Sequence, residues 1–200
     1  ICSDRIHAAS GDRHEGRGDS LSGEHKHKIT FENVTFAYPG TNRKIIDNLS
    51  FTIDVDDTTA LVGENGSGKS TLIKLMVGQY EPQSGTIKID GTDIVDYTPA
   101  ELAAIYGVMF QDVAHVAVPI REFVTLSDGA FDRERFCDAI AKAGCKKILD
   151  DSVAREETIM GLGLDLEKAR EFSGGEWQRL ALARLFYADP DVFVMDEPTA

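Results

Sequence analysis

The fold is decided by the stretch Gly63-Glu64-Asn65-Gly66-Ser67-Gly68-Lys69-Ser70. It fits the pattern GxxxxGK(S/T), follows the short apolar run of residues 60–62, and precedes a run of helix formers over residues 70–79 that includes Thr71. Glycines let backbone N–H groups approach phosphate oxygens, and the helix that follows adds the positive end of its dipole. The order strand, glycine-rich loop, helix therefore predicts a phosphate-binding loop, with the strand buried in an α/β domain.

Two side chains of this loop carry specific chemistry. Lys69 is expected to reach the β- and γ-phosphates of a nucleotide, and the Ser70 hydroxyl is expected to ligate Mg²⁺. A glycine-rich turn with a purely structural role is the alternative. The register of Lys69 and Ser70 after the last glycine favours the phosphate loop.

A second motif lies near the end of the chain, where the apolar run of residues 192–195 leads into Asp196 and Glu197. A continuous apolar run of this kind predicts a central parallel strand that is buried on both faces. Carboxylates at the end of such a strand can hold a magnesium shell and activate a water molecule. We assign Asp196 to the magnesium shell and Glu197 to the general base; a solvated acidic strand end is the alternative.

Those two motifs are compatible with a kinase, a GTPase or a helicase, and a third motif separates these classes. It is Phe172-Ser173-Gly174-Gly175-Glu176. Ser173 and Gly175 are expected to begin a helix whose free N–H groups can receive a γ-phosphate. One chain already has a phosphate loop, so this second anion site makes sense if it closes over a nucleotide held by another subunit.

This third motif closely resembles the signature motif LSGGQ of ATP-binding cassette (ABC) ATPases, and the resemblance extends over residues 29–200. Phe172 and Glu176 depart from it, because Leu and Gln are commoner at those positions. The resemblance implies that Tyr38 stacks on adenine as the A-loop aromatic residue and that Gln111 is the Q-loop glutamine, which senses Mg²⁺ and the attacking water. A core or turn aromatic residue and an exposed polar strand end are the respective alternatives.

The resemblance is to the exporter type of this family. It implies ATP and Mg²⁺ as ligands, ATP hydrolysis coupled to export, a second nucleotide-binding domain as partner, and transmembrane domains on the same full-length chain at the cytoplasmic face of a membrane. The family's D-loop and switch histidine are expected beyond Ala200. Residues 1–200 alone are therefore expected to hydrolyse ATP poorly, and robust, cooperative ATPase activity from this segment would contradict that expectation.

The expected fold class is an α/β P-loop NTPase (RecA-like) core with a mainly parallel sheet, an N-terminal antiparallel β subdomain and an inserted α-helical subdomain. The polar residues 1–28 are predicted to be a flexible linker or tail, and residues 29–200 are predicted to form the incomplete ATPase domain. Helical periodicity places the helical subdomain at about 119–172, and Asp90-Gly91 between two β-rich runs predicts a hairpin.

The composition narrows the range of possible binding partners. The formal net charge is −13, from 34 acidic and 21 basic residues, so the long-range field repels nucleic acid. Cys2, Cys137 and Cys145 form no CxxC pair and are expected to be free thiols. Two alternatives stay open: a soluble ABC ATPase of DNA repair or translation, and a P-loop small-molecule kinase.

Overall fold

The computed structural model describes residues 7–10, 27–54, 59–64, 66–110, 112–125, 131–161 and 169–196, with the first of these ranges as backbone only. The chain divides into two compact units, residues 1–106 and residues 107–200. Helices and strands both occur in each unit, as expected of an α/β protein.

The described residues of the first unit form two sheets and two helices. Its strands are β1 (His7–Ser10), β2 (Lys28–Phe36), β3 (Ile46–Asp54), β4 (Thr59–Val62), β5 (Ser84–Ile89) and β6 (Thr92–Asp93). Its helices are α1 (Lys69–Met76) and α2 (Pro99–Ile105), with a single 3₁₀ turn at Ile94–Asp96 between them in the chain.

The larger sheet has the strand order β3-β2-β5-β6, and each neighbouring pair is antiparallel. Ile29 and Phe31 of β2 are buried and pair with Ile89 and Ile87 of β5, which are buried as well. Alternate apolar residues thus cover one face of the sheet. The expected N-terminal antiparallel sheet is present.

The expected hairpin is confirmed between β5 and β6. Asp90 and Gly91 have φ of 53° and 85° at its turn. Positive φ at both central residues is what a two-residue turn of the I′ type requires.

The smaller sheet pairs β1 with β4 in antiparallel register, with His7 opposite Val62 and Ser10 opposite Thr59. The linker prediction for residues 1–28 did not foresee this four-residue strand. Backbone N–H and C=O groups can pair in a sheet whatever the side-chain pattern, so polar sequence alone does not reveal such a strand. The prediction that residues 60–62 are buried is wrong: Ala60 is exposed, Leu61 is only half-buried, and the exposed fraction of Val62 is 59%.

The second unit is mainly helical. Its helices are α3 (Ile120–Thr125), α4 (Arg133–Lys142), α5 (Lys146–Asp150) and α6 (Gly174–Ala188). Its strands are β7 (Tyr106–Met109), which begins at the boundary of the two units, then β8 (Ile159–Met160), β9 (Ala169–Arg170) and β10 (Val192–Met195). A 3₁₀ turn spans Arg155–Glu157, and β8 and β9 pair in parallel.

One apolar core joins these helices. Phe136 and Ile140 of α4 and Ile120 of α3 lie in the same buried cluster as Trp177 and Leu180 of α6. Phe136 and Ile140 are four residues apart, a spacing that puts both on one face of α4, and that face is buried. Helix α6 ends where Asp189 adopts a left-handed φ of 49°, one residue before Pro190, because a residue that precedes proline avoids the helical region.

β10 pairs with β7, and the Asp196 N–H donates to the Met109 carbonyl at 2.9 Å, so the carboxyl ends of the two strands lie side by side. The prediction that the run of residues 192–195 is buried on both faces is wrong at Met195, which is 40% exposed. A run of four apolar residues does not by itself distinguish one buried face from two.

Cys137 and Cys145 are both free, as predicted, and Cys2 lies outside the described residues. Burial raises the pKa of the Cys145 thiol to about 11, whereas Cys137 is exposed. Within the described ranges, no helix has the length and apolar character of a membrane span.

Candidate functional site

Helix α1 begins directly after the glycine-rich loop. Its N-cap is Gly68, which has φ 99° and ψ 12° in the left-handed region. Among the described residues, no side chain caps this end of the helix and no acid occupies its first turn. The first N–H groups of a helix lack intrahelical acceptors, so this helix start can bind an anion.

The loop places a cation at the same point. The Lys69 ammonium group donates to the carbonyl oxygens of Gly63 at 2.8 Å and Glu64 at 3.2 Å, and it therefore lies beside the first residues of the loop. The Ser67 N–H donates to the Glu64 carbonyl at 3.1 Å and closes the turn between them. Gly66 and the hydroxyl-bearing Ser70 are exposed in the same segment, and Asn65 lies outside the described residues.

Tyr38 lies against the first turn of α1. Its hydroxyl oxygen is 3.0 Å from the hydroxyl oxygen of Thr71, which is buried. Its half-buried ring meets the rings of Phe36 and Tyr80 edge-on, with centroids 5.1 Å and 5.4 Å away. The ammonium nitrogen of Lys74 is 5.9 Å from the Tyr38 ring centre. The structure thus brings an aromatic ring and the phosphate-loop helix together, and sequence reasoning missed Tyr80 and Lys74.

In the second unit, Ser173 is the N-cap of α6. Its hydroxyl oxygen accepts from the Glu176 N–H at 3.4 Å, and one Glu176 carboxylate oxygen accepts from the Ser173 N–H at 2.9 Å. The same carboxylate oxygen also accepts from the Ser173 hydroxyl at 3.0 Å. This reciprocal arrangement is a capping box, for which Ser at the N-cap and Glu three residues later are the sequence signal.

Gly174 and Gly175 follow Ser173 and are exposed. Among the described residues, a Cβ atom built on Gly174 would meet nothing within 4 Å, and one on Gly175 would come no closer than 3.7 Å to Arg179. Packing against the described residues therefore leaves room for a side chain at both positions.

Sequence reasoning also missed Arg170. Its guanidinium group donates to Glu176 at 2.6 Å, to the Ile148 carbonyl at 3.1 Å and to the Ser152 hydroxyl at 3.0 Å. The guanidinium carbon lies 4.9 Å from the centre of the Phe172 ring. Nothing in the signature pattern marks an arginine three residues before Ser173, so only the fold could reveal this contact.

The two residues that depart from LSGGQ are thus both in contact with Arg170. Burial raises the pKa of Glu176, but the Ser173 hydrogen bonds and the charges of Arg170 and Arg179 lower it more, and the net shift is downward. Glu176 is therefore a carboxylate at neutral pH.

The remaining predicted residues lie at strand ends. Asp196 is half-buried at the end of β10, while Gln111 and Glu197 lie outside the described residues. The exposed Ser70 hydroxyl and the Asp196 carboxylate offer oxygen ligands, which is the ligand type that Mg²⁺ prefers. The donor chemistry therefore fits magnesium.

Comparison with known proteins decides the family. The family model described as ABC transporter matches residues 46–200. The chain belongs to the ABC transporter family. This match covers the phosphate loop, the signature segment and the acidic strand end.

Several proteins with transport in their names are similar to this ABC chain. The β-(1→2)glucan export ATP-binding/permease protein NdvA of Rhodopseudomonas palustris is 38% identical over 172 residues, which are 86% of this chain and 28% of that protein. The mitochondrial iron–sulfur clusters transporter ATM1 of Candida glabrata is 38% identical over 173 residues, 86% of this chain and 23% of that protein. The nisin transport ATP-binding protein NisT of Lactococcus lactis is 30% identical over 184 residues, 90% of this chain and 30% of that protein.

A solved structure of a bacterial Atm1-family ABC exporter with ATP bound is similar to this ABC chain, with a TM-score of 0.73 and 28% identity. It covers 87% of this chain and 30% of the other. The chain therefore spans about a quarter to a third of the length of the relatives that it matches.

Proposed function

We propose that this chain is the ATP-binding and ATP-hydrolysing domain of an ABC exporter. The observation that carries the proposal is the start of α1, where a left-handed glycine, an amine and helical N–H groups without a side-chain cap meet. The export function is proposed because the chain is similar to an export ATP-binding/permease protein and to an Atm1-family ABC exporter. The finer architecture belongs to the same proposal: a mainly parallel RecA-like core, a helical subdomain near residues 119–172, and a linker over residues 1–28.

Nucleotide binding follows from the first unit. The Tyr38 ring, held by Thr71 and Tyr80, offers a flat apolar surface for adenine. Residues of the loop bind the phosphates through backbone N–H groups, and Lys69 exchanges its contacts with the loop carbonyls for contacts with phosphate oxygens. Ser70, Asp196 and Gln111 would hold Mg²⁺, which when bound would neutralise charge on the phosphates.

ATP hydrolysis requires a general base and a group that stabilises the charge of the transition state. Glu197 accepts the proton of the attacking water, and Gln111 orients that water. Lys69 stabilises the charge that develops on the transferred phosphoryl group. These assignments rest on the family motifs that the residues match.

The signature segment completes the site of a second copy. Ser173, Gly174 and Gly175 are exposed at the start of α6, where the helix dipole favours an anion. In the proposed dimer they contact the γ-phosphate of ATP bound to the facing domain, so that two nucleotides lie between two domains. Closure of this dimer and its release after hydrolysis then move attached transmembrane domains at the cytoplasmic face of the membrane. By analogy with exporters, these domains belong to the same full-length polypeptide.

The decisive experiment replaces the proposed base in the protein as its gene encodes it. Glu197→Gln is expected to lower kcat for ATP hydrolysis by about 10²- to 10⁴-fold while leaving ATP affinity unchanged, because the amide cannot accept the proton. ATPase rate and equilibrium ATP binding are measured on the same preparation.

Glu81→Gln serves as the control, because Glu81 is an exposed carboxylate of the first unit. It should leave both quantities at their wild-type values. Wild-type turnover in the Glu197 variant would refute the assignment of the base.

A further inference from the structure

The start of α6 carries a negative charge of its own. One oxygen of Glu176 accepts from the N–H and the hydroxyl of Ser173, and the Glu176 side chain is only 16% exposed. On the function proposed above, the same helix end receives the γ-phosphate of a facing subunit. A bare carboxylate there would repel that phosphate and compete with it for the Ser173 hydroxyl.

Arg170 is placed to offset this charge. Its guanidinium nitrogen lies 2.6 Å from the Glu176 oxygen that does not contact Ser173. One carboxylate oxygen of Glu176 thus contacts Arg170, and the other contacts the N-cap residue Ser173. Paired in this way, the carboxylate keeps its capping geometry while its net charge is compensated.

The position of Arg170 is fixed from three other directions. Its second terminal nitrogen donates to the Ile148 carbonyl and to the Ser152 hydroxyl, which is itself bonded to Ile148 at 2.6 Å. The Phe172 ring lies under the guanidinium group. Since the side chain is 27% exposed, solvent screens this pair only partly.

From these contacts, we propose that Arg170 is a positioning residue for the signature segment: it neutralises Glu176 so that the Ser173 end of α6 accepts phosphate. The arginine and the glutamate form a matched pair in this chain. Where the residue at position 176 is neutral, the need for the arginine disappears.

The test is a double-mutant cycle on the whole encoded protein, with ATPase kinetics as the readout. Arg170→Met is expected to lower kcat/KM for ATP about tenfold, because it leaves a carboxylate beside an anion site. In a Glu176→Gln background, the same Arg170→Met change should cost less than about threefold. This rescue separates charge compensation from a merely structural role, which Gln at position 176 would not relieve.

Arg121→Met is the matched control. Arg121 donates to Glu157 at 2.7 Å and lies 5.3 Å from the Phe131 ring, so it repeats the arginine, glutamate and aromatic arrangement outside the signature segment. It should leave kcat/KM at the wild-type value. If Arg170→Met fails to fold, judged by its melting curve, Arg170→Gln replaces it, because the amide removes the charge and can still donate hydrogen bonds; the same loss of about tenfold, relieved by Glu176→Gln, is then expected.

The proposal is overturned if Arg170→Met, or the Arg170→Gln change that replaces it, has wild-type kinetics, or if it costs as much in the Glu176→Gln background as alone. Failure of the proposed function has a different signature. In that case the wild-type protein does not hydrolyse ATP, or Glu197→Gln does not slow it, whatever the Arg170 variants do.

Discussion

Two helices in this protein begin at segments assigned to phosphate, and their first turns are built in opposite ways. Helix α1 follows a left-handed Gly68 and, among the described residues, has neither a side-chain cap nor an acid in its first turn. Helix α6 begins at Ser173 with a full capping box from Glu176. The N–H groups at the start of α1 depend on a bound ligand for hydrogen-bond acceptors. The start of α6 is capped by side chains of its own, and any anion that binds there lies close to the Glu176 carboxylate.

The glycines of the phosphate loop and of the signature segment also differ in whether this chain's own structure requires glycine. Gly68 has a φ of 99°, a conformation that a side chain disfavours, so this chain's own backbone requires glycine there. Among the described residues, an added Cβ would meet nothing within 4 Å at Gly174 and only the Arg179 guanidinium group, at 3.7 Å, at Gly175. The packing within this chain therefore does not require glycine at either position.

The largest effect is expected at the loop. Gly68→Ala forces a Cβ into the left-handed region, which should cost about 1 to 2 kcal/mol of unfolding free energy and weaken ATP binding by about 100-fold or more. Fluorescent ATP-analogue titration and thermal melting measure the two effects.

The control is Gly144→Ala, since Gly144 also has a positive φ, of 68°, with nothing within 4 Å of an added Cβ. It should lose stability without losing ATP affinity. Equal losses of affinity in both variants would remove the distinction between the loop and other left-handed glycines.

A smaller and more selective effect is expected at the signature. Gly175→Ala should leave the melting temperature unchanged or raise it, because Ala is favoured over Gly in a helix by up to about 1 kcal/mol. It should lower the ATPase rate about tenfold or more while ATP still binds to the loop of the same subunit, because the new methyl group obstructs the facing phosphate. A melting temperature that falls in step with activity would contradict this reading.

The smallest effect concerns the capping box. The folded pKa of Glu176 is lowered, so its contribution to stability is present above the unfolded pKa and is lost as pH falls through the folded pKa. We expect wild type to exceed Glu176→Gln in unfolding free energy by about 0.5 to 1 kcal/mol at pH 7, a difference that shrinks toward pH 3. Urea unfolding of both proteins at several pH values measures this difference in unfolding free energy. A difference that does not change with pH would contradict the prediction.

Sequence patterns predicted the elements whose signals are local. The β5–β6 hairpin follows from Asp90-Gly91, and the buried face of α4 follows from the spacing of Phe136 and Ile140. Patterns failed where burial depends on what lies opposite. Val62 and Met195 are exposed although their apolar runs predicted burial.

The residues of the candidate site also separate into those that local sequence signals predict and those that depend on tertiary contacts. The positions of Lys69 at the loop and Ser173 at a helix start follow from motif and capping chemistry, and the structure agrees with both. Asn65, Gln111 and Glu197 lie outside the described residues, and their roles stay predictions. Arg170 and Tyr80 had no sequence signal, because each acts through a contact with a residue that the fold brings to it.

The sequence by itself determined the phosphate loop, the signature segment and the family, because each depends on residue types at fixed short spacings along one chain. Only the tertiary structure decided that Glu176 shares its two oxygens between Ser173 and Arg170, and that Thr71 and Tyr80 hold Tyr38. A charge pair or a ring contact depends on distances in space, and spacing along the chain does not fix those until the core around them has packed.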